Sequence, residues 1–294
     1  MKRQYYTKMR RHCQVYKHNF VKIYKTHCEG EVITKMITDI NNAGKNALNV
    51  LCLGSGPCAP QKNNDTAHYL INGSVLLDTG WATVQGLVDR DIDPLSFDTI
   101  VFTHFHPDHY MGLPSLIFYW LWKGRDLSKL RIAGPAENIE IIVRRAAEYW
   151  QDDCFRGIYP TLLPLNPGDT VELNGIHFAC RRAPHPVPAL SYRITAEGAK
   201  SDIGFTGDTR HETGQAAFFA GCGILFSEAS CGASRNPDPS WGHMSAYQAG
   251  QLAAEASVGR LVLVHTGSPE ISCAAAREYF ANTEPAVVGA VYSV

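Results

Sequence analysis

The sequence predicts an α+β fold built as a four-layer αβ/βα sandwich. Three observations predict it. From Leu48 onward, short apolar runs rich in β-formers alternate with helical stretches. Their order is several strands, then βα units, then several strands and βα units again, so each half supplies one sheet with helices outside it. No short repeat, low-complexity stretch or linker divides residues 47–294, which are read as one domain behind a basic extension, 1–46.

The elements follow in chain order. LNVLCLGSG (48–56) is a buried strand ending in a glycine turn. HYLI (68–71) and SVLLDTG (74–80) form a hairpin around Asn72-Gly73, a pair that tolerates the positive φ a tight turn needs. TIVFTH (99–104) is a buried strand, and GLPSLIFYWLWKG (112–124) is a helix with Pro near its start and Gly at its end. A strand at 131–135 and a helix at 136–151 complete the first half. The second half opens with a hairpin within 170–185 and continues with strands at 189–195, 202–209 and 223–230. An Ala-rich helix led by Ser245 (245–257), a buried strand (260–268), a helix (273–280) and a last strand (286–293) close it.

Composition narrows the classes. The net charge is −1 over 294 residues, so the whole chain has no strong electrostatic pull toward nucleic acid or membrane. The charge is uneven: residues 1–45 hold ten Lys/Arg against three acids, and the rest holds 17 against 25. The basic segment loosely resembles a transit peptide, but the expectation is a poorly ordered tail, or an upstream start with Met36 as the true first residue. The nine cysteines are scattered without a C-x-x-C pair, which points to a reducing cytoplasm rather than a disulfide framework. No apolar run approaches the ~20 residues needed to span a bilayer.

The densest chemical signal is Thr103-His104-Phe105-His106-Pro107-Asp108-His109, directly after a buried strand. Imidazoles and carboxylates are expensive to bury without a partner, and they are the donors zinc prefers. Three further candidates stand at strand ends: His185 among prolines, Asp208 after GFTG, and His265 after LVLV. Each alone reads as a capping Asp or a satisfied core His. Together with the first motif they complete the set of donors that two metals need. The pairs His12-Cys13 and His27-Cys28 match no metal-finger spacing.

These residues resemble the metallo-β-lactamase superfamily, and more narrowly its ribonuclease Z-like branch. The likeness is carried by THFHPDH, by GDT at 207–209 and by VHTGS at 264–268. Gly54-Ser55-Gly56, LLDTG at 76–80, GLPS after the metal motif, Ser227-Glu228-Ala229 and His243-Met244-Ser245 add to it. It covers 48–270. The resemblance implies the metallo-β-lactamase fold and two zinc ions, with manganese or iron as alternatives. It implies that His104, His106 and His185 hold the first ion, that Asp108, His109 and His265 hold the second, and that Asp208 bridges them. Asp108 would also orient the nucleophile. Glu228 and His243 would form an acid–histidine pair that serves the transition state or the leaving oxygen, and Asp78 would orient a metal-binding His.

The chain departs from ribonuclease Z in two places. Only 23 positions separate His185 from Asp208, too few for the arm that grips tRNA, and His265 is followed by Thr-Gly-Ser-Pro rather than Arg-Tyr. The acidic body also argues against a nucleic-acid partner, while the basic segment keeps one open. The expectation is therefore a phosphodiesterase acting on a small or cyclic phosphate ester. Its competitors are a ribonuclease Z-type nuclease, a lactone or carboxyl-ester hydrolase using Tyr110 or Tyr192, and a non-catalytic binding module. Dimers are common in the family, so a homodimer is a further expectation.

Overall fold

The computed structural model describes residues 47–149 and 159–294. The basic segment, with its His-Cys pairs, lies outside the described residues, and so does the last part of the helix expected over 136–151.

Alternating and continuous apolar runs condense into two sheets of seven strands each among the described residues. The first begins with β1 (Asn49–Gly54), β2 (His68–Ile71) and β3 (Val75–Leu77), paired antiparallel. Asn72 and Gly73, at φ 44° and 62°, make the turn between β2 and β3 that the Asn-Gly pair predicts. A short helix α1 (Thr83–Val88) leads to β4 (Thr99–Val101). Helices α2 (Pro107–Tyr110) and α3 (Gly112–Trp122) follow, then β5 (Arg131–Pro135), α4 (Ile139–Glu148) and β6 (Thr161–Leu165). β3 to β6 run parallel. β6 was not expected: Pro164 breaks its strand pattern, and only its edge position tolerates that residue.

The second sheet repeats the plan. β7 (Thr170–Leu173), β8 (Ile176–Arg182), β9 (Leu190–Ala196) and β10 (Ile203–Phe205) pair antiparallel. After α5 (Gln215–Phe218) come β11 (Ile224–Glu228), α6 (Ala246–Glu255), β12 (Arg260–Val264), α7 (Pro269–Ala276) and β13 (Thr283–Pro285). β10 to β13 are parallel. Ser245 caps α6 in a reciprocal box with Gln248.

Two boundaries differ from expectation. α7 begins at Pro269, four residues before the predicted start, because Pro is preorganised for the first helical position. The strand expected over 286–293 is shortened to β14 (Val291–Ser293), and the unexpected β13 just before it belongs to the other sheet. Pro285 has no N–H to continue a ladder, and Gly289 at φ 88° turns the chain back to pair with β1.

The sheets face each other across a core that includes Val50, Tyr69, Ile71, Phe178, Tyr192, Phe205 and Phe226. The Phe205 and Phe226 rings stack at 4.5 Å. Outer cores lie under the helices, around Leu113, Ile117 and Trp120 on one side and Leu225, Leu252 and Leu261 on the other. Each fully buried side chain of this size contributes about 1.5–3 kcal/mol. In α6, Gly250 lies so close to Ala276 of α7 that a Cβ would strike its carbonyl oxygen. The C-terminal ends of the parallel strands in both sheets point to one rim, where His104, Asp208, Glu228 and His265 emerge.

Candidate metal centre

Leaving β4, the chain is caught by Asp78. This buried residue sits at φ 58°, left-handed backbone that costs on the order of 1–3 kcal/mol outside glycine. Its carboxylate accepts from Thr103 N and Thr103 Oγ1, both at 2.7 Å, and lies 2.9 Å from His109 Nδ1. One acid therefore fixes both ends of the 104–109 loop. Thr66 Oγ1 donates to the Asp108 carbonyl at 2.6 Å and holds the middle.

His185, His265 and Glu228 of the second half are each anchored separately. His185 Nδ1 lies 2.9 Å from the Gly242 carbonyl, so its Nε2 faces His106 Nδ1 at 3.0 Å. His265, at φ 52°, has Nδ1 2.7 Å from Ser230 Oγ and turns Nε2 to Asp108 Oδ2 at 3.0 Å. Its backbone N–H donates to Ser55 O, and Ser55 N donates to Asn64 Oδ1. Glu228 accepts from Thr209 N at 2.6 Å and Ser230 N at 3.1 Å, and lies 2.9 Å from His243 Nδ1.

The result is three overlapping clusters whose ligand atoms lie within 4.8 Å of one another. They are His104, His106, His185 with Asp208; Asp108, His109, His265 with Asp208; and Glu228, His243 with Asp208. Asp208 belongs to all three.

The electrostatics divide the imidazoles. Burial, aided by neighbouring imidazoles, holds His104 well below its ordinary value, and burial likewise lowers His106 and His185. These three are neutral at pH 7, the form that binds a metal. Burial opposes charge on His109 too, but Asp208 and Asp78 outweigh it and raise that imidazole well above the usual range. Asp208 is buried, which disfavours its charge, yet His265, His109 and His104 hold it well below the carboxylate range. Burial would lower His243, but the hydrogen bond and charge of Glu228 raise it to about 9.

A divalent cation fits these residues. His104 Nε2 and His109 Nε2 are buried and find no hydrogen-bond partner among the described residues, although each is aimed at the cluster. Such a nitrogen costs on the order of 1–3 kcal/mol of desolvation, which a bound cation removes. Asp78 engages Nδ1 of His109, so Nε2 is the nitrogen that faces the centre and would give up its proton to a bound cation.

Several residues that the sequence did not single out serve here. Ser230 and Gly242 act only through space, and no local pattern marks them. Ser55 and Asn64 position the His265 backbone. His68 is buried beneath the loops, 2.8 Å from Thr66 O. Tyr192 is in the core and donates to Phe102 O, so it is not free to meet a substrate. The six described cysteines are free, and no described helix is long and apolar enough to cross a membrane.

Comparison with known proteins agrees with this architecture. The family description "Beta-lactamase superfamily domain" matches residues 74–266, well over half of the chain. A protein named Ribonuclease Z from Thermoplasma volcanium is 28% identical over 244 residues, covering 67% of this chain and 78% of its own length. Another of that name, from Methanosarcina acetivorans, is 31% identical over 152 residues; the match covers 50% of this chain and 48% of the relative, about half its length. The metallo-β-lactamase fold protein YhfI from Bacillus subtilis superposes with a TM-score of 0.74 at 22% identity, over 85% of this chain and 100% of that one. The chain belongs to the β-lactamase superfamily and has the metallo-β-lactamase fold.

Proposed function

We propose that this superfamily member is a dinuclear metal-dependent phosphodiesterase acting on a small or cyclic phosphate ester. The observation that carries the reading is the His243–Glu228 pair beside Asp208. His243 Nδ1 is 2.9 Å from Glu228 Oε1 and 3.9 Å from Asp208 Oδ2. In this reading His104, His106 and His185 hold one ion, Asp108, His109 and His265 hold the other, and Asp208 bridges them. Two such ions, zinc by the nitrogen and oxygen donor set, with manganese or iron as alternatives, would make a bound water acidic and neutralise phosphoryl oxygens.

The chain's own groups supply the rest. Glu228 fixes the ring of His243 and favours its charged form. Nδ1 is engaged by the carboxylate, so Nε2 is the atom that gives a proton to the departing alkoxide. That step suits a phosphodiester, whose leaving oxygen has a high proton affinity. In this reading Asp108, whose Oδ2 lies 3.0 Å from His265 Nε2, would orient the attacking oxygen.

A ribonuclease Z-type nuclease is the second reading, favoured by the names of the relatives. Against it, the interval from His185 to Asp208 holds only a short loop, β9, a turn and β10. Action in the cytoplasm fits the free cysteines. A homodimer is retained as part of the proposal.

The test is a panel: 2′,3′- and 3′,5′-cyclic nucleotides, bis-p-nitrophenyl phosphate, a lactone and a tRNA precursor, with metal content by mass spectrometry. Turnover of a cyclic or aryl phosphodiester with about two equivalents of metal is expected. Turnover of the lactone alone, or of the tRNA precursor alone, overturns the reading. Absence of metal would favour a binding module.

A further inference from the structure

Beside His185 a groove of about 250 Å³ opens at the C-terminal ends of β5 and β6. One wall is the turn after β5, with Pro135 and Glu137; another is the turn after β6, with Asn166; the floor is the loop from Arg182 to Pro186.

The walls are set before anything binds. Ala136 N donates to Leu165 O, Ala183 N to Ala189 O, and Arg210 N to Pro184 O. Gly242, at φ 71°, packs so tightly that a Cβ there would collide with Pro186 Cδ. Prolines at 135, 167, 186 and 188 fix φ around the rim. A preformed groove loses little order on binding, which favours affinity.

We propose that this groove is the subsite for the organic arm of the phosphate ester, and that it takes a nucleobase or a heterocycle of like polarity, read by Arg182 and Glu137. The inference rests on the phosphodiesterase reading and names the substrate class of that same site. His185 lines both the groove and the first cluster, so an arm attached to a phosphate at the centre can enter without a spacer. The proline rings offer flat apolar surface. At the edge stand one guanidinium fork, one carboxylate and one amide, with no ion pair or hydrogen bond between the side chains of Arg182 and Glu137. An alkyl arm would desolvate these groups without a partner. A second phosphate would meet Glu137 as well as Arg182. A flat, neutral ring with donors and acceptors along its edge satisfies both groups, as base edges do with Arg and Glu.

Calorimetry on the full, metal-loaded chain tests this with four probes: inorganic phosphate, ribose 5-phosphate, AMP and GMP. At least one nucleotide should bind about tenfold or more tightly than ribose 5-phosphate. Arg182→Ala and Glu137→Gln should each erase most of that margin and leave the affinities for phosphate and ribose 5-phosphate unchanged. Both side chains are exposed, so neither change threatens folding. Equal binding of nucleotides and ribose 5-phosphate overturns the subsite. So does an Arg182→Ala variant that loses affinity for all four probes alike, because the guanidinium would then serve the phosphate. A loaded chain that binds no phosphate at all refutes the parent reading, and the subsite with it.

Discussion

The two halves of the fold share one plan, antiparallel strands followed by parallel ones, yet they supply the candidate centre in different ways. The first half places His104, His106, Asp108 and His109 on a single loop locked by Asp78. The second places His185, Asp208, Glu228 and His265 one at a time, at four strand ends. The first is a local device that one turn of chain can specify. The second exists only when several strands pair in register, and His185, His265 and Glu228 each need a separate anchor.

If that contrast is right, the largest effect belongs to Asp208, the only residue in all three clusters. Asp208→Ala should remove at least one metal equivalent and lower phosphodiester turnover by about 10³-fold or more, since developing charge loses its main support. Two retained metals with high activity would take Asp208 out of the bridge.

His243→Ala comes next. It should lower turnover by about 10²–10⁴-fold with metal content unchanged. Loss of metal from this variant would make His243 a ligand and move it into the dispersed set.

The anchors sharpen the comparison. Asp78→Asn disturbs both ends of the first-half loop and should weaken metal binding by about 100-fold, whereas Ser230→Ala frees one ring and should cost about tenfold. Metal titrations that reverse this order would mean the loop is less dependent on its anchor than the strand-end ligands are on theirs.

The smallest effect lies at the opposite end of the sheets. There Arg131 reaches Asp98 and Asn174, and Asn174 Nδ2 donates to Ser74 O, tying the two halves together. Slight burial opposes charge on Asp98, but hydrogen bonds from Thr99, Arg131 and Asn174 outweigh it and lower its pKa. A depressed folded pKa contributes stability that is full above the unfolded value of about 3.9 and is lost as pH falls through the folded value. The Arg131 and Asp98 side chains are 33% and 48% exposed, so this is worth less than about 1 kcal/mol. Asp98→Asn should flatten that acid-side slope in denaturant titrations; an unchanged slope would place the effect elsewhere.

The same contrast explains what could be read from the sequence. The 104–109 motif is legible because its chemistry is dense and follows a plainly apolar strand. His185, Asp208 and His265 are legible because a polar residue ending an apolar strand is conspicuous once the first motif is known. Ser230, the Gly242 carbonyl and the bonds from Thr103 to Asp78 are not, because the partners lie far apart along the chain. The strand pattern failed where proline and glycine changed the outcome: at Pro164 on an edge, at Pro269 opening a helix, and between Pro285 and Gly289.

Strand β14 has a consequence for how the molecule is made. It pairs with β1, and Ser293 Oγ donates to Asn49 Oδ1 across 244 positions of chain. A nascent chain emerging from the ribosome can assemble the 104–109 loop early, but β1 keeps an open edge until β14 arrives. Until then that edge is a place where another unfinished chain can add a strand, so slow translation between β1 and β14 would favour aggregation over a working product.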